Sequence, residues 1–273
     1  MYVVATPIGN LADITLRALE VLRGADLVAC EDTRHVRRLL DHHGIAARTL
    51  ALHMHNENQT AQRLLGELAA GRSVALVSDA GTPAISDPGA RAVAAVRAAG
   101  FKVIPIPGAN AAIAALSAAG LADPSFLFVG FLPPKVGARR TAIAALTEVE
   151  ATLVFHEAPH RVRETVADLA ELLPGPRTLV VARELSKLFE QVEAMPLAEA
   201  PAWFAADANR ERGEFVLLVS AAPPREGLDA EAERVLAALL AELPLKQATK
   251  LAAQITGKPK NLLYERALAL KGD

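Results

Sequence analysis

Between Ser78 and Gly89 the chain reads SDAGTPAISDPG, which places two carboxylates (Asp79, Asp87) and three hydroxyls (Ser78, Thr82, Ser86) among glycines and prolines. The string follows the apolar run Val74-Ala75-Leu76-Val77 and precedes a helical pattern beginning at Ala90. Strand ends that lead into helices are where open α/β sheets place ligands. Gly81 there admits a positive φ or a close backbone approach. An ordinary capping turn would use the same residue types.

Three further strand-end segments have related composition. Thr6-Pro7-Ile8-Gly9-Asn10 closes the first apolar run, and Glu31-Asp32-Thr33-Arg34 closes the second with two acids and a cation. The latter is equally readable as a helix start capped by Thr33, with acids favoured by the helix dipole. Pro107-Gly108-Ala109-Asn110-Ala111 opens a helix of small residues, whose N-terminus offers free N–H donors and whose side chains leave the backbone approachable. Packing of an alanine-rich helix on a sheet is the competing explanation. No segment reads G-x-G-x-x-G or as a Walker loop, which argues against a nicotinamide enzyme or a P-loop NTPase.

Histidine and cysteine point away from metal and thiol chemistry. His156-Glu157-Ala158-Pro159-His160 matches H-E-x-x-H, but that site needs both imidazoles on one continuous helix. Here His156 ends an apolar strand-like run, and Pro159 belongs in a first helical turn rather than an interior. His53 and His55 lack a third ligand at sensible spacing. No metal is expected. Cys30, the one cysteine, ends an apolar run and reads as a small buried hydrophobe.

These residues need a frame that carries them to one edge. Strand-like segments at 2–5, 27–30, 49–52, 73–77 and 102–104 alternate with helical ones at 13–23, 33–42, 58–70, 90–99 and 110–119, the pattern of βαβ units and a largely parallel sheet. A boundary is expected near Gly120–Pro124. Beyond it, strands at 126–131, 151–156, 177–183, 190–193 and 214–221 are expected, with helices at 140–146, 159–172 and around Trp203. Residues 132–140 are expected as a loop. The fold class is α/β, in three parts: an N-terminal α/β domain over 1–122, a second α/β domain over 123–224, and a helical extension over 228–273 after the linker Ala222–Gly227.

The composition sets limits on function. The 273 residues are 52% hydrophobic, yet no apolar run reaches the length that spans a bilayer. The opening MYVVATP lacks the features of a secretory leader, and a single cysteine suits a reducing compartment, so a cytoplasmic location is expected. The 29 basic and 31 acidic side chains give a formal charge of −2. Overall charge therefore does not point to nucleic acid. From Pro244 onward the balance reverses: Lys246, Lys250, Lys258, Lys260, Arg266 and Lys271 face only Glu265 and Asp273. The pattern there reads helix–turn–helix around Thr256–Lys260, and a basic hairpin of that kind suits RNA phosphates. A capping element or dimer arm is the alternative.

In order, TPIGNLAD (Thr6–Asp13), EDTR (Glu31–Arg34), SDAGTPAISDPG, PGANA (Pro107–Ala111), GFLPPK (Gly130–Lys135) and EAPHR (Glu157–Arg161) resemble the ribosomal RNA small subunit methyltransferase I family. Relatives often read E-S-P-H-R where Ala158 stands. The resemblance implies the tetrapyrrole-methylase (class III) fold and methylation of a cytidine 2′-hydroxyl of 16S rRNA in the small ribosomal subunit. It also implies S-adenosylmethionine as cofactor without a metal, and a homodimer. Carried onto this chain, it puts the cofactor on Pro7, Ile8, Gly9, Asp79, Gly81, Thr82, Pro107, Gly108, Ala109, Phe131 and Leu132. Glu31 and Asp32 become the candidate catalytic acids, with His160 also on a cleft-facing loop. Arg34, Lys135 and Arg161, with Lys246, Lys250, Lys258 and Lys260, become RNA-binding candidates. A methylase of tetrapyrrole precursors or of diphthamide synthesis, or a non-catalytic RNA-binding protein, are the rival readings.

Overall fold

Two runs in which every residue is buried, Leu27–Cys30 and Val74–Val77, form the middle of the first sheet. Such runs suit parallel strands covered on both faces. In a computed structural model that describes residues 1–53, 57–222, 228 and 230–271, the first part runs β1 (Tyr2–Val4), α1 (Leu16–Gly24), β2 (Leu27–Cys30), α2 (Thr33–His42), β3 (Thr49–Ala51), α3 (Glu57–Ala69), β4 (Val74–Val77), α4 (Ala90–Ala98), β5 (Ile104–Ile106) and α5 (Ala111–Ala118). Its five strands, among the described residues, take the order β3-β2-β4-β1-β5, and all pairs are parallel.

Alternate residues serve opposite faces, as the strand period of two dictates. Val28, Cys30, Ala75 and Val77 pack under α1 and α2 with Leu22, Val36 and Leu40. Leu27, Ala29, Val74 and Leu76 pack under α3 and α4 with Leu64 and Val96. All the strands therefore deliver their carboxyl ends, and the four candidate segments, to one edge. The last strand lies slightly later than 102–104 and includes Pro105, which pairs with Val3. An edge strand tolerates a residue that cannot donate to the ladder.

The second part runs β6 (Phe126–Phe131), α6 (Val136–Ala144), β7 (Thr152–Glu157), α7 (Val162–Leu172), β8 (Thr178–Arg183), β9 (Gln191–Pro196), α8 (Ala200–Ala205) and β10 (Phe215–Val219). Its order is β6-β7-β10-β8-β9, with only β6 and β7 parallel among the described strands. One face is covered by α6, α7 and α8 through Ile143, Val166, Leu169 and Phe204. The other is covered by α5, whose Ala112 and Ala115, with Ala119 just after its end, sit on Val154, Val180 and Val216. The small residues of α5 are thus explained by packing, on the second sheet rather than the first.

Several boundaries differ from expectation: α1 starts at Leu16 instead of Asp13, and β9 runs on to Pro196 instead of ending at 193. Helix α6 starts at Val136, inside the expected loop, and α7 starts at Val162 instead of Pro159. Pro159 falls in a turn that keeps His156 and His160 off a common helix. The chain divides into two compact units, 1–222 and 223–273. In the second, α9 (Ala230–Glu242), α10 (Leu245–Thr256) and α11 (Lys260–Lys271) bury Leu236, Ala252, Leu263 and Ala267 together. Gly257, left-handed at φ 69°, ends α10. The linker segment 223–227, His55 and Asp273 lie outside the described residues, and so does the side chain of Lys271.

Candidate active site

Loops from β1 and β4 are tied together first. Thr6 and Gly81 exchange backbone hydrogen bonds, both at 2.9 Å. The Thr6 hydroxyl donates to the Ser78 carbonyl at 2.9 Å, and the Ser78 hydroxyl donates to the Gly81 carbonyl at 3.0 Å. Thr82 then donates to the Ala109 carbonyl at 3.0 Å, which joins the β4 loop to the turn after β5. Within the β4 loop, Gly81, Ala84, Ser86 and Gly89 all take positive φ. That conformation is costly for Ala84 and Ser86, and such strain concentrates at functional sites.

What holds this loop from behind is Glu57, which is 7% exposed. Its Oε1 accepts the N–H groups of Gly89, Arg91 and Ala92 at 3.0, 2.9 and 3.4 Å. A carboxylate from the start of α3 thus caps the start of α4, where the helix dipole favours negative charge. Nothing local in the sequence signals this partner, 32 residues away.

Three cavities meet at Ile8, which lines them all. The first, ≈ 430 Å³, is walled by Gly81, Thr82, Ile85, Asp87 and Asn110 together with Phe131, His156, Pro159 and Phe215 from the second sheet and its loops. The second, ≈ 440 Å³, lies against Gly108, Ala109, Asn110 and Leu185. The third, ≈ 330 Å³, lies against Pro7, Gly9, His35, Arg38, Asp79 and Lys187. Volumes of this size suit small-molecule sites, roughly 300–1,000 Å³. Gly108 is bare for a reason: a Cβ there would stand 2.8 Å from the Ala5 Cβ.

The expected cofactor residues therefore come together, with two exceptions. Pro107 lies beside the cavities without lining them, and the Leu132 side chain is buried in the core beneath α7. The Leu132 carbonyl accepts from Arg161 at 2.8 Å, as does that of Pro133 at 3.2 Å. Arg161 is thereby occupied as a brace for the GFLPPK loop. Lys135 and Arg34 are exposed. In the C-terminal unit Lys246 and Lys250 stand exposed one turn apart on α10, and Lys260 is exposed at the head of α11. Lys258 is half-buried between those helices. Arg266 is ion-paired with Glu233 at 2.6 Å.

The acids divide by environment. Asp32, not Thr33, is the N-cap of α2: its Oδ1 accepts the Arg34 N–H at 2.8 Å, and its Oδ2 pairs with the Arg34 guanidinium at 2.8 Å. Those bonds hold its carboxyl down at about 2. The Asp79 carboxylate accepts the Asp32 N–H at 3.0 Å. Burial, followed by the charge of Asp79, raises Glu31, while His53 pulls it down and Asp32 pushes it up. Asp87 is raised furthest, to about 6, by burial and then by Glu31; the Ser78 hydroxyl opposes this and Asp79 adds to it.

His156, on β7, meets the edges of Phe128 and Phe131 at 5.1 and 5.5 Å between ring centroids. Burial lowers its pKa, and its Nε2 has no partner among the described residues. Glu157 is anchored, accepting from Thr165 at 2.6 Å and from the Ala158 N–H at 2.8 Å. Among the described residues no group of three or more His, Cys, Asp or Glu side chains could hold a metal ion.

Residues 1–201 match the model of the tetrapyrrole (corrin/porphyrin) methylases, and residues 226–271 match that of an RsmI C-terminal HTH domain. A Pseudomonas aeruginosa protein called ribosomal RNA small subunit methyltransferase I is 54% identical, with 100% of this chain and 98% of that one covered. One of the same name from Escherichia coli O157:H7 is 52% identical over 100% and 96%. Among solved structures, uroporphyrin-III C-methyl transferase from Thermus thermophilus complexed with S-adenyl homocysteine is 20% identical. It covers 80% of this chain and 96% of its own with a TM-score of 0.54, a likeness of fold.

Proposed function

This chain belongs to the ribosomal RNA small subunit methyltransferase I family within the tetrapyrrole methylases, and on that premise we propose that it methylates a cytidine 2′-hydroxyl of 16S rRNA with S-adenosylmethionine. The observation that carries the reading is the set of cavities around Ile8, walled by the strand-end loops the resemblance singles out. The donor set suits the cofactor. Ile8, Ile85 and Phe131 offer apolar surface to an adenine, and the bare backbone at Gly81 and Gly108 allows close approach. The Thr82 hydroxyl and the Asn110 amide supply polar contacts. Bound there, the sulfonium supplies an activated methyl group and needs no metal.

The protein contributes alignment of two reacting atoms, which accounts for much of the rate in reactions of this kind. Pro7, Ile8, Gly9, Asp79, Gly81, Thr82, Ala109 and the Phe131–Leu132 segment form the cofactor wall in this reading. Arg34 and Lys135 beside the site, and Lys246, Lys250, Lys258 and Lys260 in the C-terminal unit, serve the RNA backbone. A cytoplasmic homodimer completes the proposal. No helix among the described residues is long and apolar enough to cross a membrane.

The test is tritiated methyl transfer from S-adenosylmethionine to assembled small subunits, naked 16S rRNA and a tetrapyrrole precursor, alongside calorimetric binding of S-adenosylhomocysteine. Label in a ribose of the rRNA is the expected result. Label confined to the tetrapyrrole would put the chain with the corrin and porphyrin methylases, and cofactor binding without transfer to any of the three would remove the assigned acceptor.

A further inference from the structure

We propose that Asp87 is the catalytic base, taking the proton of the acceptor hydroxyl as the methyl group is transferred. This rests on the cavity being the methyl-transfer site. The acids that reach it or stand beside it differ in what already engages them. Asp32 caps α2 and binds Arg34. Asp79 accepts the Asp32 N–H. Glu157 holds Thr165 and its own loop, and Glu214 pairs with Lys187 at 2.9 Å. Asp87 lines the cavity, and among the described residues its carboxyl is engaged by the Ser78 hydroxyl, with no cation and no backbone N–H holding it. It also lies where the chain is most constrained: Ser86 before it and Gly89 after it take positive φ, and Glu57 clamps the following helix start.

The charges around it act in one direction. Glu31 from the end of β2 and Asp79 from the end of β4 both disfavour its ionised form. Glu57 caps the head of α4, and His156, Glu157 and Glu214 line the same cavity as Asp87. A carboxylate made more basic in this way is better matched to abstracting a proton near neutral pH. In the step, the hydroxyl proton passes to an Asp87 oxygen while the new O–CH₃ bond forms and the methyl–sulfur bond breaks. The sulfonium charge and the carboxylate charge cancel, leaving a neutral thioether, a methyl ether and a protonated Asp87. In this assignment neither of the expected catalytic acids takes the proton: Asp32 caps α2, and Glu31 becomes a neighbour that raises the basicity of Asp87.

Three measurements on the full chain test this assignment: methyl transfer to small subunits across pH, S-adenosylhomocysteine binding, and carbon NMR titration of the Asp87 carboxyl without cofactor. The wild type should lose rate as pH falls through about 6, where Asp87 itself titrates. Asp87→Asn should lose about 100- to 10,000-fold in kcat while binding S-adenosylhomocysteine within about threefold of wild type. Glu31→Gln should keep transfer within about tenfold and move both the acid limb and the Asp87 titration to lower pH. Asp87→Asn with transfer within about threefold of wild type, or with an unaltered acid limb, would overturn the assignment. So would a Glu31→Gln loss as large as that of Asp87→Asn with the Asp87 titration unmoved. If Asp87→Asn also loses S-adenosylhomocysteine, Asp87→Glu replaces it: an acid limb displaced in pH upholds the role, and an unchanged limb refutes it. A wild type that binds S-adenosylhomocysteine but methylates no rRNA removes the reading of the site, and this inference with it.

Discussion

Two loops at the same sheet edge, after β2 and after β4, both offer acids, and they use them in opposite ways. After β2, Asp32 turns back on its own helix, binds Arg34 and is held low. After β4, Asp87 is left without a cation and is raised by burial and by Glu31. The difference comes from where the supporting bonds originate. The β2 loop caps its helix with its own side chain, whereas the head of α4 is capped by Glu57 from elsewhere in the chain. With the helix head clamped from outside, Asp87 is spared the capping role that Asp32 fills.

The sharpest way to break this contrast is to neutralise each acid in turn. Asp87→Asn is expected to cost methyl transfer at least about 100-fold. Asp32→Asn should stay within about threefold, because an amide oxygen still caps α2 and an exposed ion pair contributes little. Equal losses in single-turnover assays would erase the distinction between the loops. Glu57→Ala strikes the clamp. Three N–H groups lose a buried acceptor, so a loss of about 2–3 kcal/mol is expected in urea unfolding, with weaker S-adenosylhomocysteine binding. Glu57→Gln, which keeps an acceptor oxygen, should recover part of both.

Stability against pH should separate the two acids by sign. The fold holds Asp87 above its ordinary 3.8, so its contribution is fully present below about pH 4 and is lost as pH rises through about 6. Asp87→Asn should therefore match the wild type near pH 4 and exceed it at pH 8, by on the order of 1 kcal/mol after allowing for solvent screening. Asp32, held low, stabilises above its ordinary value, and that contribution is lost as pH falls through about 2. The smallest effect concerns Cys30 at the foot of the β2 loop, fully buried and pushed up to about 12 by burial and by Asp79 and Asp32. It should resist iodoacetamide at pH 8 in the native protein and react once unfolded; rapid native alkylation would mean that the β2 edge opens.

Much of the frame was readable from residue order. The fully apolar runs at 27–30 and 74–77 marked strands, and β2, α2 and β6 begin and end where the pattern placed them. The turn at Thr256–Lys260 likewise divides two helices. Less readable were helix starts next to proline, as at Val136 and Val162, because proline fits equally in a turn or a first helical turn. The cap of α2 was placed on Thr33 although Asp32 supplies it, a shift of one residue between two side chains that both cap well.

The sequence by itself determined that polar, glycine-bearing loops would gather at one sheet edge, and its motifs named the family and the cofactor. That much follows from strand period, parallel order and local turn chemistry, all of which act between near neighbours in the chain. Only the tertiary structure decided which acids are engaged and which are left for chemistry. Asp32, Asp79 and Asp87 look alike in a string of letters. What distinguishes them is an N–H, a guanidinium or a facing carboxylate brought close by folding, and electrostatic effects depend on distance and burial in space.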